Sequence, residues 1–193
     1  MGVVYMNSKC VTNGKNKRLI IASIIFTMAI IMCGNGIISN TNISKKTTKK
    51  VVIQKEIVDG VEIKILADKG VFPQDAKATI KKIDKKSDTS KVKSAIENST
   101  TSSKQKIKSV YSYDITIKDS KGNELQPDTS KGEVLVAFKD IKEIDKDNGK
   151  NVQVWHVKDD LNKAEKVKDG VEVCKNNVGV KVQHFSIYAV VIK

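Results

Sequence analysis

From residue 51 onward, apolar and polar residues alternate in short runs that are typical of β-strands. In residues 61–65, Val and Ile alternate with Glu62 and Lys64, so we predict a strand with one buried face and one hydrated face. A second apolar run, residues 51–58, precedes it, and Asp59-Gly60 lies between the two. Asp-Gly between two such runs predicts a β-hairpin.

The same kind of pattern continues along the chain. In residues 110–118, Tyr111, Tyr113, Ile115 and Ile117 share one face. The final run, residues 187–192, is apolar at every position, so we predict that both of its faces are covered. The other predicted strands are residues 76–83, 133–138, 152–157, 164–167, 171–174 and 178–183. About nine or ten short strands with frequent turns predict an all-β fold, a β-sandwich or barrel, and we favour the sandwich.

One segment departs from the strand pattern. In residues 84–108, Val92, Ala95 and Ile96 are spaced i, i+3, i+4, which predicts one short helix followed by a Ser/Thr-rich loop. Ser87 and Thr89 are residue types that cap helices, and we expect one of them to begin this helix.

The N-terminal part has the pattern of an export signal. Residues 19–32 contain no charge, and Lys9, Lys15, Lys17 and Arg18 come just before them. A basic segment followed by such an apolar segment is typical of a secretory signal peptide. Gly34 and Gly36 have the spacing that a signal peptidase accepts, which predicts cleavage near Gly36. Alternatively, residues 19–38 remain uncleaved as a membrane-spanning anchor, with the positive flank in the cytoplasm.

Both alternatives export the same domain. We therefore divide the chain into a signal peptide or signal-anchor helix at 1–36, a polar Lys-rich tether at 37–50 and an extracellular β-sandwich domain at 51–193. We expect the domain at the outer side of the membrane, in the cell wall, or secreted. Cys33 is also a candidate lipidation site, which would make the chain a lipoprotein-type envelope binding protein.

Charge limits the possible partners. The chain has 35 basic and 22 acidic residues, and removing the four basic residues before the apolar segment leaves 31 − 22, or +9, on the exported part. Arg18 is the single arginine, and no basic stripe is interleaved with aromatic residues, so we do not expect nucleic-acid binding. Scattered lysines instead predict attraction to anionic cell-envelope polymers or to an anionic lipid surface. We expect a monomer.

Four segments in order resemble a known family. They are GVFPQDA at 70–76, YDITIKDSKGNE at 113–124, VWHVKDD at 154–160 and HFSIYAVV at 184–191. Together they resemble a β-sandwich module found in adhesin-like surface proteins of Gram-positive, clostridial-type bacteria. The resemblance implies a non-catalytic module with a structural or adhesive role. Because no sorting motif precedes Lys193, we do not expect covalent attachment to the wall.

Few residues are suited to catalysis or metal binding. The two histidines and three cysteines lack the spacing of a zinc site, and no Gly-rich loop predicts a phosphate site. Residues 145–149 begin like a calcium loop but lack its closing Glu. Cys174, the single cysteine after residue 33, ends an apolar run and is expected to pack as a small apolar residue. We therefore predict no metal and no cofactor.

The tripeptide His184-Phe185-Ser186 suggests an alternative function. It resembles the self-cleavage site of autoproteolytic domains of the ZU5, function-to-find and adhesion-receptor types. The resemblance implies that Ser186 attacks the preceding carbonyl, that His184 accepts the hydroxyl proton, and that a strained turn assists. The Phe185–Ser186 bond would then break by an N-to-O acyl shift. The simpler interpretation is that Phe185 is a core residue at a strand entrance and that no residue is catalytic.

Overall fold

A computed structural model describes residues 50–100, 106–144 and 149–193. In these ranges the chain forms eleven strands and one α-helix. The helix α1 is Lys86–Asn98, and a short 3₁₀ turn covers Gly149–Asn151. The strands are β1 (Lys50–Val58), β2 (Val61–Asp68), β3 (Lys77–Lys82), β4 (Ser109–Lys118), β5 (Glu124–Leu125), β6 (Val134–Lys139), β7 (Val152–Val157), β8 (Ala164–Lys166), β9 (Val171–Cys174), β10 (Asn177–Val182) and β11 (Ile187–Ile192).

The strands form two antiparallel sheets. The five-stranded sheet, called sheet 1, has the order β1-β2-β6-β10-β9. The six-stranded sheet, called sheet 2, has the order β3-β4-β11-β7-β8, and β5 pairs with β4 beside the end of β11. An apolar core lies between the sheets and includes Ile63, Ile115 and Val190. The predicted β-sandwich with one helix is confirmed.

The first hairpin forms where the sequence predicts it. Asp59 and Gly60 connect β1 to β2 with φ angles of 52° and 79°. Two positive φ angles match a turn whose twist suits a two-residue hairpin, and Asp-Gly adopts them readily. Beyond this turn, Val61 and Ile63 point into the core while Glu62 lies on the hydrated face, as the alternation predicts.

Helix α1 covers the outer face of sheet 2. Val92, Ala95 and Ile96 are buried and pack in a second apolar cluster that includes Trp155 and Ala189. The predicted helix is therefore confirmed, but its predicted caps are wrong. Lys85 is the N-cap and makes no side-chain cap hydrogen bond.

The two hydroxyl residues lie inside the helix instead of capping it. The Thr89 hydroxyl bonds the Lys85 carbonyl, four residues earlier, at 3.1 Å. The Ser87 hydroxyl donates to the Asp88 carboxylate at 3.3 Å. Each hydroxyl thus has a local partner that competes with the capping position.

Strand β11 is at the centre of sheet 2. It pairs with β4 on one side and with β7 on the other, and all six of its residues are buried. Alternate residues reach the core between the sheets and the cluster below α1, so both faces are covered as predicted. The two-residue strand β5 was not predicted and brings the number of strands to eleven.

Several sequence predictions lie outside the described residues. These are the signal or anchor segment, the cleavage site near Gly34 and Gly36, and lipidation at Cys33. The domain boundaries at 36 and 50 stay predictions. Within the described ranges, no helix is both long and apolar enough to cross a membrane.

Candidate functional site

The segment with the autoproteolysis-like tripeptide connects β10 to β11. Phe185 is buried, and its ring lies 6.0 Å from that of Phe72, measured between centroids. His184 is exposed, whereas Ser186 is half-buried at the entrance to β11. Phe185 is thus a core residue, and this property fits both interpretations of the tripeptide.

Ser186 contacts a histidine, but not the one that the resemblance implies. Its Oγ lies 2.7 Å from Nε2 of His156. His156 is on β7, where it is the cross-strand partner of Tyr188, two residues after Ser186. Since side chains two apart on a strand share a face, this register brings His156 to Ser186. The expected role of His184 as the proton acceptor is therefore not supported by a contact between the two side chains.

The Ser186 hydroxyl has a second partner, the carbonyl oxygen of Val157 at 3.2 Å. A hydroxyl has one proton, so it donates either to the His156 ring or to this carbonyl. In the first case His156 Nε2 carries no proton and accepts; in the second, Nε2 donates to Ser186 Oγ. The same pair of residues thus forms either a nucleophile with its base or a purely structural link between β7 and β11.

The environment of His156 favours its neutral form. Burial lowers its pKa below 6.5, and the nearby His184 lowers it further, whereas Glu165 and Asp159 oppose the shift. A neutral imidazole at neutral pH can accept a proton from a hydroxyl. The Tyr188 ring lies 5.2 Å from the His156 ring, and the Tyr188 hydroxyl donates to the His184 carbonyl at 2.7 Å.

Gln126 bonds both polar backbone groups of Phe185, the residue that precedes Ser186. Its Oε1 accepts from the Phe185 N–H at 2.7 Å, and its Nε2 donates to the Phe185 carbonyl at 3.2 Å. The carbonyl that Ser186 would attack therefore already has a polar donor, which is the placement that stabilises a developing oxyanion.

The backbone of the tripeptide lacks one implied feature. Among the described residues other than glycine, positive φ angles occur at Asp59, Asp140, Leu161 and Lys175, and none of these lies in residues 184–186. The strained turn that the resemblance implies is not present as a left-handed conformation.

An open groove of about 1120 Å³ runs beside this site, along the short edge strand β8. It is lined by the end of α1, by β7 and β8, and by residues around the start of β11; Trp155, His156, Lys166, Lys181, His184 and Tyr188 are among them. Trp155 pairs with Lys166, and His156 with Glu165. Because neighbouring residues of a strand point to opposite faces, the groove contacts both faces of β8 and follows the edge of the sheet.

Metal ligands are not clustered in the part of the chain that the structure describes. Within it, no group of three His, Cys, Asp or Glu side chains is placed to hold a metal ion. Cys174 is buried in β9, as its apolar neighbours predict. Residues 145–148, which resemble part of a calcium loop, lie outside the described ranges.

Two residues of this site, His156 and Gln126, do not follow from the sequence pattern. Both are brought to Ser186 or Phe185 by contacts between distant parts of the chain. The one signal in the sequence was that residues 152–157 and 187–192 are both strands, but strand pairing and register do not follow from that. Comparison of the chain with protein-family models, curated proteins and solved structures finds no match.

Proposed function

We propose that this chain is an exported, non-catalytic β-sandwich module that is retained at the cell envelope and has a structural or interaction role. The observation that carries its non-catalytic part is the backbone around Ser186, because no residue of 184–186 has the left-handed conformation of a strained turn. There, Ser186 Oγ contacts both His156 and the Val157 carbonyl, and Gln126 bonds both polar groups of Phe185. These bonds tie β11 to β7 and to the segment after β5, which is a structural role.

The charge of the exported part supports retention by anionic partners. Its +9 balance comes from lysines, and Lys45, Lys46 and Lys49 lie in the predicted tether. Each lysine near an anionic surface contributes about 1 kcal/mol at best, and salt weakens the attraction. In a Gram-positive envelope, the partners with the matching negative charge are wall polymers with phosphate groups and anionic lipids.

Cell fractionation tests this proposal. If residues 1–36 are cleaved, we expect the domain to stay with the envelope in low salt and to be released by a high-salt wash. An uncleaved anchor at residues 19–38 gives retention that salt does not change. Release into the medium at low salt contradicts retention by charge. Replacing Lys45, Lys46 and Lys49 with Gln is the matched variant, and it should be released at lower salt than the wild type.

Self-processing is a second candidate, favoured by the 2.7 Å contact between Ser186 Oγ and His156 Nε2. In this step the Ser186 oxygen bonds to the Phe185 carbonyl carbon, and the Phe185–Ser186 C–N bond breaks. His156 takes the hydroxyl proton and passes it to the departing amine. Water then hydrolyses the ester and leaves a carboxylate on Phe185.

Intact mass under denaturing conditions separates the two functions. A non-catalytic module has its full mass, whereas self-processing releases a peptide that begins at Ser186. If cleavage occurs, Ser186→Ala and His156→Gln should abolish it, while His184→Ala should not. Cleavage that requires His184 but not His156 contradicts the role given to His156.

A further inference from the structure

The groove beside β8 is lined by several charged side chains. Lys166, Lys168, Lys181 and Lys193 line it, together with the acidic residues Glu165 and Asp169. Lysine thus predominates in one concave region of about 1120 Å³. Concave regions focus the electrostatic potential of the charges around them, so their effect on an anion exceeds that of the same charges on a flat surface.

The lysines of the groove differ in their ion pairs. Lys181 forms an ion pair with Glu133. For Lys166 and Lys168, by contrast, no ion pair is found among the described residues. Burial lowers the pKa of Lys166, and the positive charge of Lys193 lowers it further, so these two lysines repel each other.

The shape and chemistry of the groove indicate the kind of anion. The groove follows the sheet edge from the end of α1 to His184, so it suits an extended ligand. The aromatic residues Trp155 and Tyr188 are only 3% exposed, so neither offers an open face on which a sugar or base would stack. Lysines act as point charges and lack the fork that binds one anion tightly. Several weak contacts to repeated anionic groups are therefore expected.

We propose that the groove along β8 is a binding site for a linear phosphodiester polymer, with Lys166 and Lys168 as its principal contacts. This inference rests on the proposed retention by anionic envelope polymers and deepens it, because it places the attraction in one groove and not over the whole surface. The exposed side chains of Gln183 and His184 extend the groove and supply further polar groups.

Titration of the full chain with a glycerol-phosphate oligomer at low salt tests the proposal. The double variant Lys166→Glu/Lys168→Glu should bind about tenfold more weakly or worse, since two attractive charges are lost and two repulsive charges replace them. The control Lys69→Glu/Lys121→Glu changes the net charge equally at two exposed turns outside the groove. It should weaken binding only about twofold.

A milder variant keeps the test independent of folding. Lys166→Gln/Lys168→Gln should show an intermediate loss, with a melting temperature equal to that of the wild type. In addition, the His184 ring signals in a nuclear magnetic resonance spectrum should shift when the oligomer binds, because His184 lines the groove.

The outcomes distinguish failure of the groove proposal from failure of the proposed retention by anionic partners. Equal losses in the groove variant and the control overturn the groove, but leave retention by diffuse charge intact. No binding of the wild type to either the oligomer or vesicles of anionic lipid overturns both. Binding to vesicles of anionic lipid without binding to the oligomer overturns the proposal in favour of a membrane surface.

Discussion

The two sheets of this sandwich have different outer faces. On sheet 2, α1 buries the outward residues of β11 and β7 beneath Val92 and Ile96. On sheet 1, the outward positions of β2 and β6 hold charged residues such as Glu62 and Lys139, and no helix covers them in the described part of the chain. Both faces of β11 are covered, which is why β11 is a continuous apolar run, whereas residues 61–65 of β2 alternate because their outer face is hydrated.

The largest expected difference in stability is between a charge placed in the central strand β11 and a charge placed in the edge strand β1. Val191 in β11 is 0% exposed, whereas Ile57 in the edge strand β1 is 69% exposed. Val191→Asp buries a carboxylate without a partner and should lower the free energy of unfolding by about 3 kcal/mol or more. Ile57→Asp should change it by less than about 0.5 kcal/mol. Urea unfolding measures both, and equal midpoints would contradict the comparison.

The next largest difference is between removing an apolar side chain from the covered face of sheet 2 and removing one from the open face of sheet 1. Ile96→Ala removes a side chain that is 0% exposed between α1 and sheet 2, and should cost about 3 kcal/mol. Leu66 on the outer face of sheet 1 is buried only in a pair with Leu135. Leu66→Ala leaves a space that solvent can fill, so we expect about 1–2 kcal/mol. A larger loss for Leu66 in thermal unfolding would show that sheet 1 is covered as well.

Glu172 in β9 of sheet 1 makes the stability of the folded protein depend on pH. Burial raises the pKa of Glu172 to about 7, against a smaller lowering by Lys181. The folded state then binds this proton more tightly than the unfolded state, so its stabilising effect is complete below pH 4.5 and is lost as pH rises to about 7.

Because Glu172 is half-exposed, we expect Glu172→Gln to stabilise the protein at pH 8 by only about 1 kcal/mol, and less at pH 5. Melting temperatures of both proteins at the two pH values measure this difference. Glu97→Gln, at an exposed position of α1, is the matched control. A gain in melting temperature that is larger at pH 5 than at pH 8 would contradict the raised pKa of Glu172.

The smallest effect concerns the ion pairs of the open face. Glu62 accepts from Lys55 at 2.8 Å and from Lys139 at 3.0 Å, and the hydrogen bond from Lys55 is the main cause of its lowered pKa. Glu62→Gln should cost less than about 1 kcal/mol near neutral pH. The cost should shrink in 1 M salt, where the screening length is about 3 Å. A cost that salt does not change would indicate a more buried pair.

The sequence predicts those elements that have a clear pattern of apolar residues. Ten strands and the helix follow from alternation, from short apolar runs between turns, or from the spacing of Val92, Ala95 and Ile96. Strand β5 has two residues and therefore no period, and it forms because Leu125 pairs with Ile117 of β4. The helix start was misplaced because the hydroxyls of Ser87 and Thr89 bond locally inside the helix.

The candidate site was harder to predict than the fold. Neighbours in sequence suggested His184 as the partner of Ser186, but the contact is made by His156 through the pairing of β7 with β11. Register between strands depends on the packing of both faces along their whole length, which a short motif does not contain. Gln126 was missed for the same reason, since 59 positions separate it from Phe185.

The central place of β11 has a consequence for synthesis of the protein. Before residues 187–192 are made, β3 with β4 and β7 with β8 are two separate pairs, because β11 is the strand that joins them. A nascent or stalled chain that ends at residue 186 therefore exposes the apolar surfaces of β4, β7 and α1. Such surfaces favour aggregation and recognition by chaperones and proteases. Successful folding thus reports that translation has passed residue 192.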